Sequence, residues 1–278
     1  MAEITAAAVK TLREKTGLPM MDCKRALQDA GGDEDKAIAL LREAGAKTME
    51  KRAGRQTSAG RIAVYTDIEA GVGSIVELQC ESAPVSAHEE FVQLANDLAQ
   101  QLATGPGAAS AEELLGQPSP SKPGLTLRQQ FDELTNRIRE VFRLQRIERI
   151  DATCGGYAHH NGASGVLLQI EGGSAELAKD ICMHIAAMRP SATVKDDLDS
   201  AEVEREREIL AAAARKEGKP EKIIDKMVEG RMRNFYAERC LTEQPFVKAE
   251  DGKKTVGKVA QEAGMKIVGF AHWELAKE

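Results

Sequence analysis

No stretch of this sequence approaches the roughly 18 consecutive apolar residues that a membrane-spanning helix requires, so no membrane partner is expected. The start, Met1-Ala2-Glu3-Ile4-Thr5, lacks a basic segment leading into an apolar core, which argues against a secretory leader and for a cytoplasmic protein. Cysteines are few: Cys23, Cys80, Cys154, Cys182 and Cys240 form an odd, widely spaced set with no C-x-x-C pair, so they read as reduced thiols rather than a disulfide framework. Aromatic residues make up only 4% of the chain, which leaves core packing mainly to Ala, Leu, Ile and Met on helices. Positive charge is not in excess either. The formal charge of −6, from 38 basic and 44 acidic side chains, argues against direct nucleic-acid binding. Neither G-x-x-x-x-G-K-[ST] nor G-x-G-x-x-G occurs, so any nucleotide chemistry must take place on a partner.

What is present fits a globular protein of about two domains that folds without disulfides. The first fifty residues carry three helical periods, each too short to be stable alone. Thr5 caps a helix through Lys15, and Gly17-Leu18-Pro19 ends it. A second helix repeats Met20, Cys23, Leu27 and Ala30 on one face and closes at Gly31-Gly32. Asp33 caps a third with the stripe Ala37, Leu40, Leu41 and Ala44, and Gly45 stands where a left-handed terminator is wanted. Residues 47–55 carry no apolar period and read as a basic connector.

Beyond it, Arg61 to Ile68 and Ser74 to Cys80 flank Glu69-Ala-Gly-Val-Gly73 with hairpin composition. Ser86 and Glu89 have capping-box spacing ahead of Phe91, Leu94, Ala95, Leu98 and Leu102. The proline-rich stretch 104–124 reads as a surface loop with no regular element. Thr126 and Gln129 repeat the capping-box spacing before a helix carrying Phe131, Leu134, Ile138 and Val141.

A weak internal repeat sets Gly60–Tyr65, Ser74–Leu78 and the 89–103 helix against Gly156–His159, Gly165–Ile170 and a helix from Ala175 to Met188. From Asp199 a charged helix, the turn Gly218-Lys219-Pro220 and a second helix with Ile224, Met227, Val228, Met232 and Phe235 form a projecting hairpin. Glu202, Glu204, Glu206 and Glu208 alternate there with Arg205 and Arg207 as a solvated face. Gln244-Pro-Phe-Val247 is extended, Thr255 caps a helix through Ala263, and Lys266 to Leu275 is a final strand. The fold class is α+β, with an N-terminal three-helix module, a core of two related β-β-α halves with antiparallel sheets, and an inserted helical hairpin.

Chemistry of its own is not expected. His159-His160 near Cys154, and Cys182 with His184, lack metal-ligand spacing, and Ser164 between Ala163 and Gly165 reads as a turn residue rather than a nucleophile. No catalytic residue, metal or cofactor is therefore assigned. These residues suit gripping a protein better than catalysis.

Several strings resemble the elongation factor Ts family, in family order along almost the whole chain. They are Leu12-Arg-Glu-Lys-Thr-Gly17, Met20-Met-Asp-Cys-Lys-Arg-Ala-Leu27, Gly60-x-Ile62-x-x-Tyr65, Tyr157-x-His159, Met183-His-Ile-Ala-Ala187, Gly218-Lys-Pro220, Lys226-Met-Val-Glu-Gly-Arg231, Gln244-Pro-Phe-Val247 and Lys254-Thr-Val256. The resemblance implies a non-enzymatic guanine nucleotide exchange factor whose partner is elongation factor Tu, GDP-bound or nucleotide-free. It also implies a ubiquitin-associated-like head at 1–54 that holds the partner's nucleotide domain, a first core half at 55–144, and a second at 145–278 that includes the hairpin 199–241 and the C-terminal helix and strand. The hairpin can serve in forming a homodimer. Carried over residue by residue, the head contacts are Leu12, Arg13, Thr16, Met20, Met21, Asp22 and Lys24, with Tyr157 and His159 from the second half.

Two departures stand out. After Cys80 the family has Thr-Asp-Phe-Val, where an aromatic ring wedges between helices of the partner beside an acid; this chain has Ser82-Ala83-Pro84-Val85. Ala83 and Pro84 supply neither group, although proline stiffens itself and its predecessor into a protrusion that can still press on the partner's Mg²⁺ site. The alternative is an exchange-deficient protein that binds and holds elongation factor Tu. Pro19 replaces a family glycine at a helix start, where proline is tolerated, so little consequence is expected.

Overall fold

The computed structural model describes residues 4–249 and 254–275. The start Met1-Ala2-Glu3, read above for a leader, lies outside the described residues.

Three helices, α1 (Ala6–Thr16), α2 (Met20–Asp29) and α3 (Glu34–Glu50), form the head. The Thr5 hydroxyl accepts the Ala8 N–H, Asp33 accepts the Lys36 N–H, and Gly17 ends α1 at φ 67°, so these three boundaries have their expected chemical cause. Val9, Leu12, Leu18, Cys23, Ala26, Leu27, Ala37 and Leu41 bury together. Met20, Leu40 and Ala44, expected in the apolar stripes, face outward instead. Gly45 is not a terminator, because α3 continues through it and takes up the first residues of the expected connector. A Cβ there would clash with the Asn136 side chain, so glycine is needed for close approach to the core.

Strands β1 (Ala59–Asp67) and β2 (Val72–Cys80) form the expected hairpin. A single turn, α4 (Ala83–Ser86), follows, then α5 (Glu89–Thr104). His88, not Ser86, caps α5: its Nδ1 accepts the Glu90 N–H at 3.3 Å, while the Ser86 hydroxyl donates to the Ala83 carbonyl at 2.8 Å. The expected loop 104–124 contains α6 (Ala111–Leu115), started by Ser110, which buries Leu114 and Leu115; its prolines bracket the helix instead of interrupting it. In α7 (Leu127–Ile138) the Thr126/Gln129 capping box forms in both directions. Val141 lies beyond that helix.

Strand β3 (Arg143–Ile150) was not legible, and it pairs antiparallel with β2. The expected boundary at 144/145 therefore falls inside a strand, and the first sheet, ordered β1-β2-β3, runs to Ile150. The second sheet is β4-β5-β6, made of β4 (Cys154–Ala158), β5 (Ser164–Glu171) and β6 (Lys266–Glu274), with α8 (Ala175–Met188) over it. Both middle strands carry a register irregularity, at Glu77/Leu78 and at Gln169/Ile170, which strengthens the relation between the halves. Ser164 opens β5 rather than a turn, with its Oγ 3.2 Å from His272 Nε2.

The sheets pack face to face between α5 and α8. Strand alternation sends Ile62, Val64 and Ile75 toward Cys154, Leu167 and Ala271 of the other sheet, while Ala63, Val76 and Leu78 meet Phe91, Leu94 and Leu98 of α5. Burying a side chain such as Phe91, 0% exposed, contributes about 1.5–3 kcal/mol. Helices α9 (Ser200–Lys216) and α10 (Glu221–Arg239) form the projecting hairpin, closed on itself by Ala214, Ile224, Val228, Met232 and Phe235. The last helix is α11 (Val256–Glu262), capped by Thr255.

Candidate partner interface

Tight local bonding places Ser82–Val85 at the surface of the first half. The Val85 N–H reaches the Ser82 carbonyl at 3.2 Å and the His88 N–H reaches Val85 at 3.0 Å. Ala83 and Pro84 are exposed, whereas Val85 is half-buried against the α5 core. Just upstream, Cys80 is 0% exposed, and burial, with the nearby Glu140 carboxylate, pushes its thiol up to about 12. It therefore offers no nucleophile beside the segment.

On the second half, Tyr157 Oη lies 2.7 Å from His159 Nδ1, and the His159 and His160 rings stand 4.3 Å apart. The turn beyond them is closed by the Gly162 N–H on the His159 carbonyl (2.8 Å) and the His159 N–H on the Ser164 carbonyl (2.9 Å). Arg61 of β1 joins this turn to the α4 segment. Its Nη2 donates to the His160 carbonyl at 3.1 Å and its Nη1 to the Ser86 carbonyl at 3.4 Å. The Ile62 N–H adds a 2.8 Å bond to Gly162. Two segments remote in sequence thus share one face, through a residue that no motif marked.

In the head, Arg13, Met20, Met21 and Lys24 are exposed, Met20 by 51% and Met21 by 63%. Leu12 is corrected: it is 0% exposed in the head core and has no surface to offer. Its spacing to Val9 and Thr16 is that of a core stripe, and packing takes it inward. Thr16 is occupied within the head, donating its hydroxyl to the Leu12 carbonyl at 2.8 Å. Asp22 pairs with Arg139 at the end of α7.

His184 is 0% exposed, with Nε2 2.9 Å from Gln244 Oε1 and Nδ1 3.4 Å from the Val247 N–H. Burial lowers its pKa, and the Gln244 bond opposes the shift. Among the described residues no cluster of three or more His, Cys, Asp and Glu is placed to hold a metal ion, and no helix is long and apolar enough to cross a membrane.

The family model for elongation factor Ts matches residues 81–277, which begin just after β2 and take in the rest of the first half, the second half and the hairpin. The chain is 40% identical over 277 residues to the elongation factor Ts of Thioalkalivibrio sulfidiphilus, covering 99% of this chain and 92% of that protein. It is also 40% identical over 282 residues to that of Saccharopolyspora erythraea, covering all of both chains. The chain belongs to the elongation factor Ts family. Relatives matched from end to end include the head, which the family model does not reach. The α+β architecture is that of an elongation factor Ts.

Proposed function

We propose that this protein promotes GDP release from elongation factor Tu during translation elongation. The observation that carries the reading is the shared face on which Arg61 joins the α4 segment to the Tyr157–His160 turn. The head would grip the nucleotide domain through Arg13, Met20, Met21 and Lys24, where two flexible, exposed methionines suit an apolar contact that must adapt. Tyr157 and His159 would meet a second domain of the partner.

Held at these points, Ala83 and Pro84 would press on the partner's Mg²⁺ and phosphate site by shape and backbone, since they carry neither ring nor carboxylate. Mg²⁺ requires near-octahedral oxygen coordination, so a small displacement of its ligands weakens bound GDP. The coupling is reciprocal: the factor must bind nucleotide-free partner better than loaded partner, and nucleotide then loosens the factor by the same ratio. No covalent step is involved.

The test is stopped-flow release of a fluorescent GDP from elongation factor Tu of the same organism at controlled Mg²⁺. Strong acceleration by the wild-type chain supports exchange, and A83G/P84G should reduce it. Acceleration unchanged in that variant would remove the segment as the lever. The missing acid and ring favour a second reading, a holder of elongation factor Tu, which binding without acceleration would establish.

A further inference from the structure

The α4 turn has four residues, too few for a helix to hold its own shape. Its position is fixed from outside, by the link between α7 and β3. Glu140 Oε2 accepts the Ser82 N–H at 3.1 Å and Oε1 accepts the Ser82 hydroxyl at 2.5 Å, two charge-assisted bonds on the residue that starts the turn. Next to it the Val141 N–H donates to Glu81 Oε1 at 2.8 Å, so 81–82 and 140–141 are cross-linked in both directions.

The residue before Glu140 faces the head. Arg139 caps α7 in the left-handed region, at φ 65°, a position normally taken by glycine. Arginine brings a side chain that glycine would lack, and that guanidinium pairs with Asp22 of α2. The Arg139 carbonyl accepts from Arg52, just beyond α3. Backbone strain of this kind persists where its surroundings hold it in place. Consecutive residues therefore grip the head and the α4 turn.

We propose that Arg139-Glu140 is a positioning element for nucleotide exchange: Glu140 sets the aim of the Ala83–Pro84 turn, and Arg139 ties that aim to the seat of the head. The proposal deepens the exchange reading and rests on it. Neither side chain needs to touch the nucleotide. Their effect is on how far the turn is advanced when the head is already seated, so it falls on the maximal release rate and not on capture of the partner.

The experiment measures GDP release against factor concentration for wild type, E140A, E140Q and S82A in the full chain, with urea midpoints as a folding control. E140A should lower the maximal rate at least about tenfold, the scale on which misplacement of a working group acts. The concentration for half-maximal effect should stay within about twofold, since binding contacts are intact. E140Q, with one acceptor oxygen in place of two, should fall between; S82A/E140A should be no slower than E140A. R139G, which keeps the left-handed backbone and removes the guanidinium, should lower the maximal rate less than E140A. A folded E140A at the wild-type maximal rate, or one whose loss lies wholly in weaker binding, overturns the proposal. Should E140A not fold, E140Q and S82A decide on the same two readouts. Wild-type protein that fails to accelerate release overturns the exchange reading itself, whereas accelerating wild type with an unaffected Glu140 series overturns only the positioning role.

Discussion

The two core halves share strand order, a covering helix and a register irregularity in the middle strand, but they bury polar groups of different kinds. In the first, Glu77 is 1% exposed and accepts from Arg146 Nε at 2.6 Å and Gln79 Nε2 at 2.8 Å. Asp97, also 1% exposed, accepts from Gln93 (2.9 Å), Gln130 (2.7 Å) and the Ser121 hydroxyl. In the second, the buried pair is the imidazole of His184 and the amide of Gln244. The Gln244 orientation is set by its Nε2 donating to the Glu238 carbonyl at 3.1 Å. One half depends on compensated charge, the other on an imidazole that stays neutral, so the same topology should respond differently to loss of a partner and to acid.

The largest effect is expected from R146M. It removes the guanidinium that faces the buried Glu77 carboxylate in the seam, where Arg146 also lies over the Trp273 ring at 4.5 Å, and removing the charged partner of a buried carboxylate costs up to about 3–5 kcal/mol. Urea unfolding of the full chain measures it. E77M/R146M should recover most of the loss, because an apolar pair of similar volume needs no compensation. A loss under about 1 kcal/mol in R146M, the scale of an exposed pair, would erase the contrast between the halves.

A second, smaller effect concerns the head, which rests on α7 of the first half. Arg42 pairs there with Glu133 at 2.8 Å, and Asn136 Nδ2 donates to the Leu41 carbonyl at 3.3 Å beside Gly45. G45A should destabilise by about 1–3 kcal/mol through overpacking on Asn136. In an N136A background its sign should reverse, with a gain of up to about 1 kcal/mol from alanine's better helix propensity. If G45A costs the same in both backgrounds, Asn136 is not the clash, and the docking of the head on this half must be redrawn.

Gly45 also marks where the sequence stops being legible. Helix caps such as Thr5, Asp33 and Thr126 depend on bonds three residues away, so they were read correctly together with the hairpins and the paired β-β-α halves. A glycine that ends a helix and one that lets another element approach look alike locally, and only Asn136, distant in the chain, separates them. Strand β3 escaped notice because its residues Arg143, Arg146, Glu148 and Arg149 break the apolar alternation, two of them being spent on Glu77 and on the end of α5. At the candidate interface, Met20, Met21 and the Tyr157–His159 turn could be named from family strings. Arg61, Arg139 and Glu140 could not, since what marks them is bonding to other elements: Arg61 to the His160 carbonyl, Arg139 through its carbonyl to Arg52, and Glu140 through its carboxylate to Ser82. Leu12 erred the other way, its motif position saying nothing of which way it faces.

The finest test of the contrast is acid. Burial lowers the pKa of His184 below its ordinary value of 6.5. As pH falls through that value the unfolded chain takes up a proton that the folded chain refuses. Stability is thus fully present above about pH 6.5 and declines until the folded value is passed, by at most about 1.4 kcal/mol per pH unit. Protonation would also deprive Nδ1 of the Val247 N–H, the bond that, with Gln244, holds the neutral ring. H184L should be less stable outright, because Gln244 loses its donor. Its urea midpoint should nevertheless vary less with pH than that of wild type between about pH 7 and 5.5, the range in which the unfolded imidazole charges. Equal slopes in the two proteins would mean that the imidazole does not govern the acid response, and the second half would then owe that response to its exposed groups.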